Sequence, residues 1–191
     1  MSSAEPPFLE SLPLTRSAFA FAQELHAGQR RDWDAAPFIL HPLEVAALLS
    51  AAGSPDEVVA AGILHDIVED TDTDVDTVRE RFGEPVAALV AAVTEDPDIE
   101  PYEARKEALR RAAVAAGPEA RAIFAADKLA KVRDLRAQIA HAPHNNDPSR
   151  ARRLAHYQES LRLLSEQEPD QPLVRQLSFE LWALNNLPPG K

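Results

Sequence analysis

The sequence predicts an all-α protein, a single compact helical bundle, on three observations. Nearly every segment between turn signals repeats its apolar residues at the 3.6-residue spacing of a helix. The two-residue alternation of a half-buried strand is nowhere sustained. The chain is 191 residues long and 45% hydrophobic, which suits one domain with a sizeable core and argues against global disorder.

The elements follow in order. Residues 1–13 are rich in Ser, Pro and Glu and read as a loose N-terminal tail. Ala18, Phe21, Ala22 and Leu25 fall at i, i+3, i+4 and i+7, with Gly28 as a stop. Gln29 to Leu40 reads as a polar loop holding Trp33 and Pro37. His41 opens a second apolar helix, with Pro42 tolerated in its first turn, ending near Gly53. Ser54-Pro55-Asp56 starts a helix expected to run through Val58 to Asp70. Asp74 is an N-cap for Val75 to Phe82, and Gly83 closes that helix. A short buried helix over Pro85 to Val93 precedes an acidic turn, Thr94 to Pro101. Ala104 to Ala116 is helical with a basic face, and Gly117-Pro118 breaks it. Pro118 to Ile139 is the next helix, and His141 to Pro148 a polar connection. Leu154, Tyr157, Leu161 and Leu164 share one face. Leu173, Val174, Leu177, Leu181 and Leu184 mark the last helix, before a second tail from Asn186. One domain over residues 14–185 results, with no internal repeat, heptad pattern or Gly-rich phosphate loop.

Charge and composition narrow the function. A net charge of -11 disfavours nucleic-acid polymers as partners, because such binding depends on Lys and Arg releasing counterions. A small phosphorylated substrate then needs a local basic patch or a metal. No apolar run is long enough to span a bilayer, and the start lacks the pattern of a secretion signal. With no cysteine, disulfides, thiolate catalysis and thiolate ligands are excluded. The expected setting is the cytoplasm.

The chemistry concentrates in His65-Asp66-Ile67-Val68-Glu69-Asp70. On a continuous helix, at about 100° per residue, His65, Asp66, Glu69 and Asp70 share an arc of roughly 140° opposite Ile63, Leu64, Ile67 and Val68. An imidazole and three carboxylates with no Lys or Arg among them call for a divalent cation. His41, at a helix start, and Asp127, in an apolar stretch where an isolated carboxylate would be costly, complete a mixed nitrogen and oxygen shell. A hydrolase follows: the ion holds His41, His65, Asp66 and Asp127, while Glu69 and Asp70 orient the attacking water or move its proton. Taken alone, the Glu69-Asp70 pair can also be read as a solvated helix end.

These residues resemble the HD-domain phosphohydrolases, and within them the RelA/SpoT-type hydrolases of guanosine tetraphosphate (ppGpp). The matching stretches are His26-Ala27-Gly28-Gln29-Arg30-Arg31, Pro37 to Ala46, Ala61 to Thr71, Phe82-Gly83, Val93-Thr94 and Ala126-Asp127-Lys128-Leu129, together spanning about residues 14 to 165. The resemblance implies an all-helical fold and one ion, foremost Mn²⁺ with Fe²⁺, Mg²⁺ and Zn²⁺ as alternatives, held by His41, His65, Asp66 and Asp127. It implies Glu69 and Asp70 as catalytic carboxylates and removal of a 3′-pyrophosphate from a small nucleotide. At this length the chain resembles the small, hydrolase-only members.

For substrate binding the resemblance points to Arg31, which matches an arginine packed on the purine, and to Tyr157, at an aromatic position lining the cleft; Tyr157 fits core packing as well. Three departures bear on the substrate. Asp32 stands where the family has a lysine, Phe38 replaces a tyrosine, and Lys131 replaces an asparagine that faces the ribose. Lys131 shares a helix face with Asp127, so its ammonium either binds phosphate or pairs with Asp127 and weakens the metal. Alternative readings are therefore a nucleotidase or other phosphomonoesterase of the same superfamily, and a non-catalytic nucleotide sensor.

The remaining features are secondary. Arg105, Lys106, Arg110 and Arg111 read as a solvated basic face or as a polyphosphate-steering rim. His141 and His144 read as a polar loop, and His26 as a helix end. Trp33 either covers the base or anchors its loop. Phe179 and Trp182 either cap the domain or form a subunit contact, which leaves a homo-oligomer open.

Overall fold

The structure, a computed structural model, describes residues 5–141 and 147–186. Among the described residues stand ten α-helices and no strand; the β structure is limited to an isolated antiparallel bridge between Arg30 and Pro37. The helices are α1 (Pro13–Leu25), α2 (Leu40–Ala51), α3 (Asp56–Leu64), α4 (Ile67–Asp70) and α5 (Val75–Phe82), followed by α6 (Glu84–Val93), α7 (Tyr102–Ala115), α8 (Pro118–His141), α9 (Ser149–Gln167) and α10 (Pro172–Asn186). The all-α expectation holds. No described helix is long and apolar enough to cross a membrane.

Two helices organise the rest. Every residue of α3 from Val58 to Leu64 is buried, which explains why its sequence is apolar all round; it packs on α1, α2, α6 and α8. Gly62 permits the close approach of α2, because a Cβ there would stand 2.4 Å from Leu49 Cδ1. α8 lies against α2, α3, α6, α7, α9 and α10, and buries Ala120, Ile123 to Ala130, Val132 and Leu135.

Caps fix the ends. Asp74 accepts from the Thr77 amide at 2.8 Å, as expected of an N-cap, and Gly83, at φ 88°, closes α5 and opens α6. α1 has no cap on its own approach. Instead Asp56, at the start of α3, accepts from the amides of Leu14 and Thr15 at 2.9 Å each and from Thr15 Oγ1 at 2.6 Å.

Two expectations need correction. The stretch up to Pro13 is not loose where described: Pro7–Ser11 is a 3-10 helix with Leu9 fully buried, because Phe8, Leu9 and Leu12 pack on the core. Likewise the helix over Val58 to Asp70 is interrupted at His65 and Asp66. The His65 Nδ1 hydrogen-bonds the Gly62 carbonyl at 2.8 Å, the acceptor the Asp66 amide would take in a regular helix, and Asp66 settles at φ -94°, ψ -8°. The rest of the expected tails, residues 1–4 and 187–191, lies outside the described residues, as do His144, Asn145 and Asn146 of the polar connection.

Candidate metal centre and cleft

The centre is assembled from α2, the α3–α4 break and α8. His41 comes from the first turn of α2, His65 and Asp66 from the break, and Asp127 from the middle of α8; all four are buried. His41 Nε2 lies 3.2 Å from Asp127 Oδ1 and 3.4 Å from Asp66 Oδ2. His65 Nε2 lies 3.0 Å from Asp66 Oδ1 and 3.5 Å from Asp127 Oδ1. One ligand atom each from His41, His65 and Asp127 fall within 4.8 Å of one another, with Asp66 beside them.

The donor set fits a divalent ion. His41 Nε2, His65 Nε2 and Asp127 Oδ1 are buried with no aligned hydrogen-bond partner, and all three face one another. Buried polar atoms left unpaired are costly, and an ion accepting two imidazole nitrogens and a carboxylate oxygen satisfies them together. The Gly62 carbonyl fixes the His65 ring through Nδ1, which leaves Nε2 aimed inward. The carboxylates also draw on cations of the chain itself. Burial opposes charge on the His65 ring, but Asp66 and Asp127 outweigh it and push the imidazole up to about 10. Burial opposes charge on Asp66 as well, and His65 and Lys131 hold it well below the usual carboxylate range.

Asp127 is served by two lysines. Lys128 Nζ, buried and 4.5 Å from the Phe124 ring centre, donates to Oδ2 at 2.5 Å. Lys131 Nζ stands 2.9 Å from Oδ1. The shifts are unequal: at Asp127 the two ammoniums together overcome burial and hold the carboxyl far down, whereas at Lys128 burial prevails over the single Asp127 carboxylate and lowers it. We read the pair as charged, since one carboxylate answers to two cations.

Beside the centre opens a cleft of 870 Å³ whose wall includes His41, Asp70, Lys131 and Tyr157. Arg31 lines it too, 5.3 Å from the Trp33 ring and paired with Asp34 and, at 2.9 Å, with Asp134. Asp32 lines the same wall. Phe38 packs 4.8 Å from the His26 ring and 6.1 Å from His41. Tyr157 is both things expected of it, buried in the core and presented to the cleft; burial pushes its phenol up to about 12, so it stays a donor. Glu69 accepts from the Glu95 amide at 2.6 Å. Glu69 and Asp70 are the last two residues of α4, and of the two Asp70 lines the cleft; loss of hydration and then, for Asp70, the Asp66 charge raise their proton affinity.

Other residues take different places. The basic run of α7 is not a solvated face: Arg105 and Lys106 pair with Glu95, and Arg110 Nη1 meets His156 Nδ1 at 2.8 Å. Arg111 pairs with Glu107 on the exposed side, and Arg105 also reaches the exposed Glu100 at 3.4 Å. His26 follows α1 and meets Gln29 Oε1 at 2.7 Å. Sequence reasoning missed Asp134 and Gln138, which line the cleft. With Asp127 and Lys131 they fall at i, i+4, i+7 and i+11, a polar stripe that helical spacing alone could have revealed. It missed Arg153 as well, one turn before Tyr157 and paired with Asp147 at 2.5 Å.

Comparison with known proteins accords with this geometry. A family model described as HD domain matches residues 18–156. The human guanosine-3′,5′-bis(diphosphate) 3′-pyrophosphohydrolase MESH1 is 44% identical over 118 residues, covering 60% of this chain and 65% of that protein. The Aquifex aeolicus guanosine-3′,5′-bis(diphosphate) 3′-pyrophosphohydrolase is 39% identical over 120 residues, 62% of this chain but 17% of its own length. A solved metazoan ortholog of SpoT, described as hydrolysing ppGpp, superposes with a TM-score of 0.78 at 26% identity over 97% of this chain and 100% of that one. The match therefore spans only part of these curated relatives. The chain belongs to the HD-domain family.

Proposed function

We propose that this protein is a divalent-metal-dependent phosphohydrolase that cleaves a phosphate or pyrophosphate ester of a nucleotide, with the 3′-pyrophosphate of ppGpp as the first substrate to test. The observation that carries the reading is the convergence of three buried ligand atoms with no aligned hydrogen-bond partner beside a cleft of nucleotide size, since small-molecule sites run to about 300–1,000 Å³. The names of the relatives support the choice of substrate. Mn²⁺ suits the mixed donor set, and the cysteine-free, acidic composition is in keeping with a cytoplasmic enzyme.

In this reading His41, His65, Asp66 and Asp127 hold the ion, which when bound acidifies a water and polarises the phosphoryl oxygen. Glu69, anchored by the Glu95 amide, and Asp70 take up the proton lost from the attacking water. Their raised proton affinity makes each a stronger base than an ordinary carboxylate. Tyr157 donates its hydroxyl to the substrate, and the Arg31–Trp33 pair offers a flat surface to the base. Asp32 in the cleft wall, a carboxylate that repels phosphate, favours a second reading in which the substrate is a phosphomonoester.

The test is incubation of the purified protein with Mn²⁺ and a panel of alarmones, nucleotides and dinucleotides. Release of pyrophosphate supports the first reading and orthophosphate the second. Binding without turnover indicates a sensor. Asp66→Ala is expected to lower turnover at least a hundredfold; full turnover by that variant overturns the assignment.

A further inference from the structure

We propose that Lys131 is a resident counter-cation of the metal centre: its ammonium occupies the inward oxygen of Asp127 in the metal-free protein, yields to a divalent ion, and then stands in the cleft as a hook for substrate phosphate. The proposal rests on the metal reading above and deepens it.

The geometry separates the two lysines on Asp127. Lys128 holds Oδ2, the oxygen away from the imidazoles, and is only 3% exposed beneath Phe124. It has no route out. Lys131 holds Oδ1 at 2.9 Å and reaches Asp66 Oδ1 at 3.8 Å. Oδ1 of Asp127 is the same oxygen that faces His41 Nε2 at 3.2 Å and His65 Nε2 at 3.5 Å. An ammonium and a divalent ion cannot share it without strong repulsion, because like charges a few ångströms apart in a buried setting cost far more than in water. One of them must leave. The Lys131 side chain is 36% exposed and borders the cleft, and its four-carbon stem can swing away from the carboxylate.

Its destination is a cleft where two of the three arginines are already ion-paired. Arg31 is neutralised by Asp34 and Asp134, and Arg153 by Asp147. Loading the centre therefore adds a cation to a cleft in which Arg31 and Arg153 are already paired and Arg30 donates to the Ala35 carbonyl. Metal and phosphate binding become coupled, each strengthening the other by the same factor.

The test compares wild type with Lys131→Gln after metal has been stripped, using calorimetric titration of Mn²⁺ and thermal unfolding. The variant is expected to bind Mn²⁺ at least tenfold more tightly while its metal-free form melts several degrees lower. A residue that merely supports the fold would weaken both. Lys131→Arg, which keeps a cation, is expected to restore the metal-free melting temperature. Inorganic phosphate titrated into the Mn²⁺-loaded proteins should bind wild type several-fold more tightly than Lys131→Gln; equal phosphate affinity overturns the hook. A Lys131→Gln protein that folds only with Mn²⁺ present supports the proposal, and one that fails to fold even then overturns it. Equal Mn²⁺ affinity in both proteins overturns the part given to Lys131. No Mn²⁺ binding by either overturns the metal reading itself.

Discussion

Asp127 keeps its orientation because Lys128, sealed under Phe124, grips the oxygen that the imidazoles do not face. Replacing Lys128 with Met leaves a buried carboxylate short of a partner, a change that costs about 3–5 kcal/mol in comparable pairs; urea unfolding of the metal-free protein should show a loss of that order. His156 works the other way. Burial, and then the charges of Lys128, Lys106 and Arg110, press its ring down to about 2, and Arg110 donates to Nδ1. An unfolded histidine titrates near 6.5, so below that pH the unfolded chain binds the extra proton. Stability from this site is therefore whole above about pH 6.5 and drains as the pH falls towards 2, by at most about 1.4 kcal/mol per unit. His156→Gln should flatten that part of the pH–stability curve, measured as the difference from wild type. The contrast between these residues shows what the sequence could carry. His65, Asp66 and Asp127 stand out because imidazole and carboxylate are costly in apolar runs. His156 sits in an ordinary amphipathic stretch, and only the packing of α7 against α8 and α9 surrounds it with cations.

Helix identity was legible from apolar spacing, and the caps at Asp74 and Gly83 from local chemistry. The break between α3 and α4 was not, because it depends on where one imidazole finds its acceptor: His65 takes the Gly62 carbonyl, and no periodicity encodes that choice. Nor was the tie between α1 and α3, since Asp56 reaches amides more than forty positions away in sequence. The α2–α3 contact carries two of the candidate ligands on opposite partners, His41 on one and His65 at the end of the other, so its spacing sets theirs. Gly62 leaves room at that contact for the buried side chains of α2, with Leu49 Cδ1 at 2.4 Å and Val45 Cγ1 at 3.5 Å from the place a Cβ would occupy. Gly62→Val should push the helices apart, lowering stability by about 1–3 kcal/mol as overpacked cores do. Mn²⁺ affinity should fall with it, whereas a purely local strain would leave the affinity of the folded fraction unchanged.

At the scale of the whole molecule the difficulty is charge. A chain of net charge -11 repels a polyphosphate, and the cleft wall adds Asp32, Asp70, Asp134 and Asp147, so the local field must be reversed where phosphate is to bind. On the proposed reading a divalent ion would do this at the point of chemistry, and it would bind the folded chain alone because its candidate ligands come from α2, the α3–α4 break and α8, far apart in sequence. Binding confined to the native state adds RT ln(1 + [L]/Kd) to stability, about 2.7 kcal/mol at a hundredfold excess over Kd. Thermal unfolding in rising Mn²⁺ should therefore show a melting temperature that climbs with the logarithm of concentration and returns to its starting value with EDTA. Because bound metal displaces the proton that the carboxylates hold on His65, the shift should be smaller at acid pH than at neutral pH. Asp127→Ala removes both the inward ligand and the carboxylate that unites the two lysines, and should abolish the metal-dependent rise at every pH.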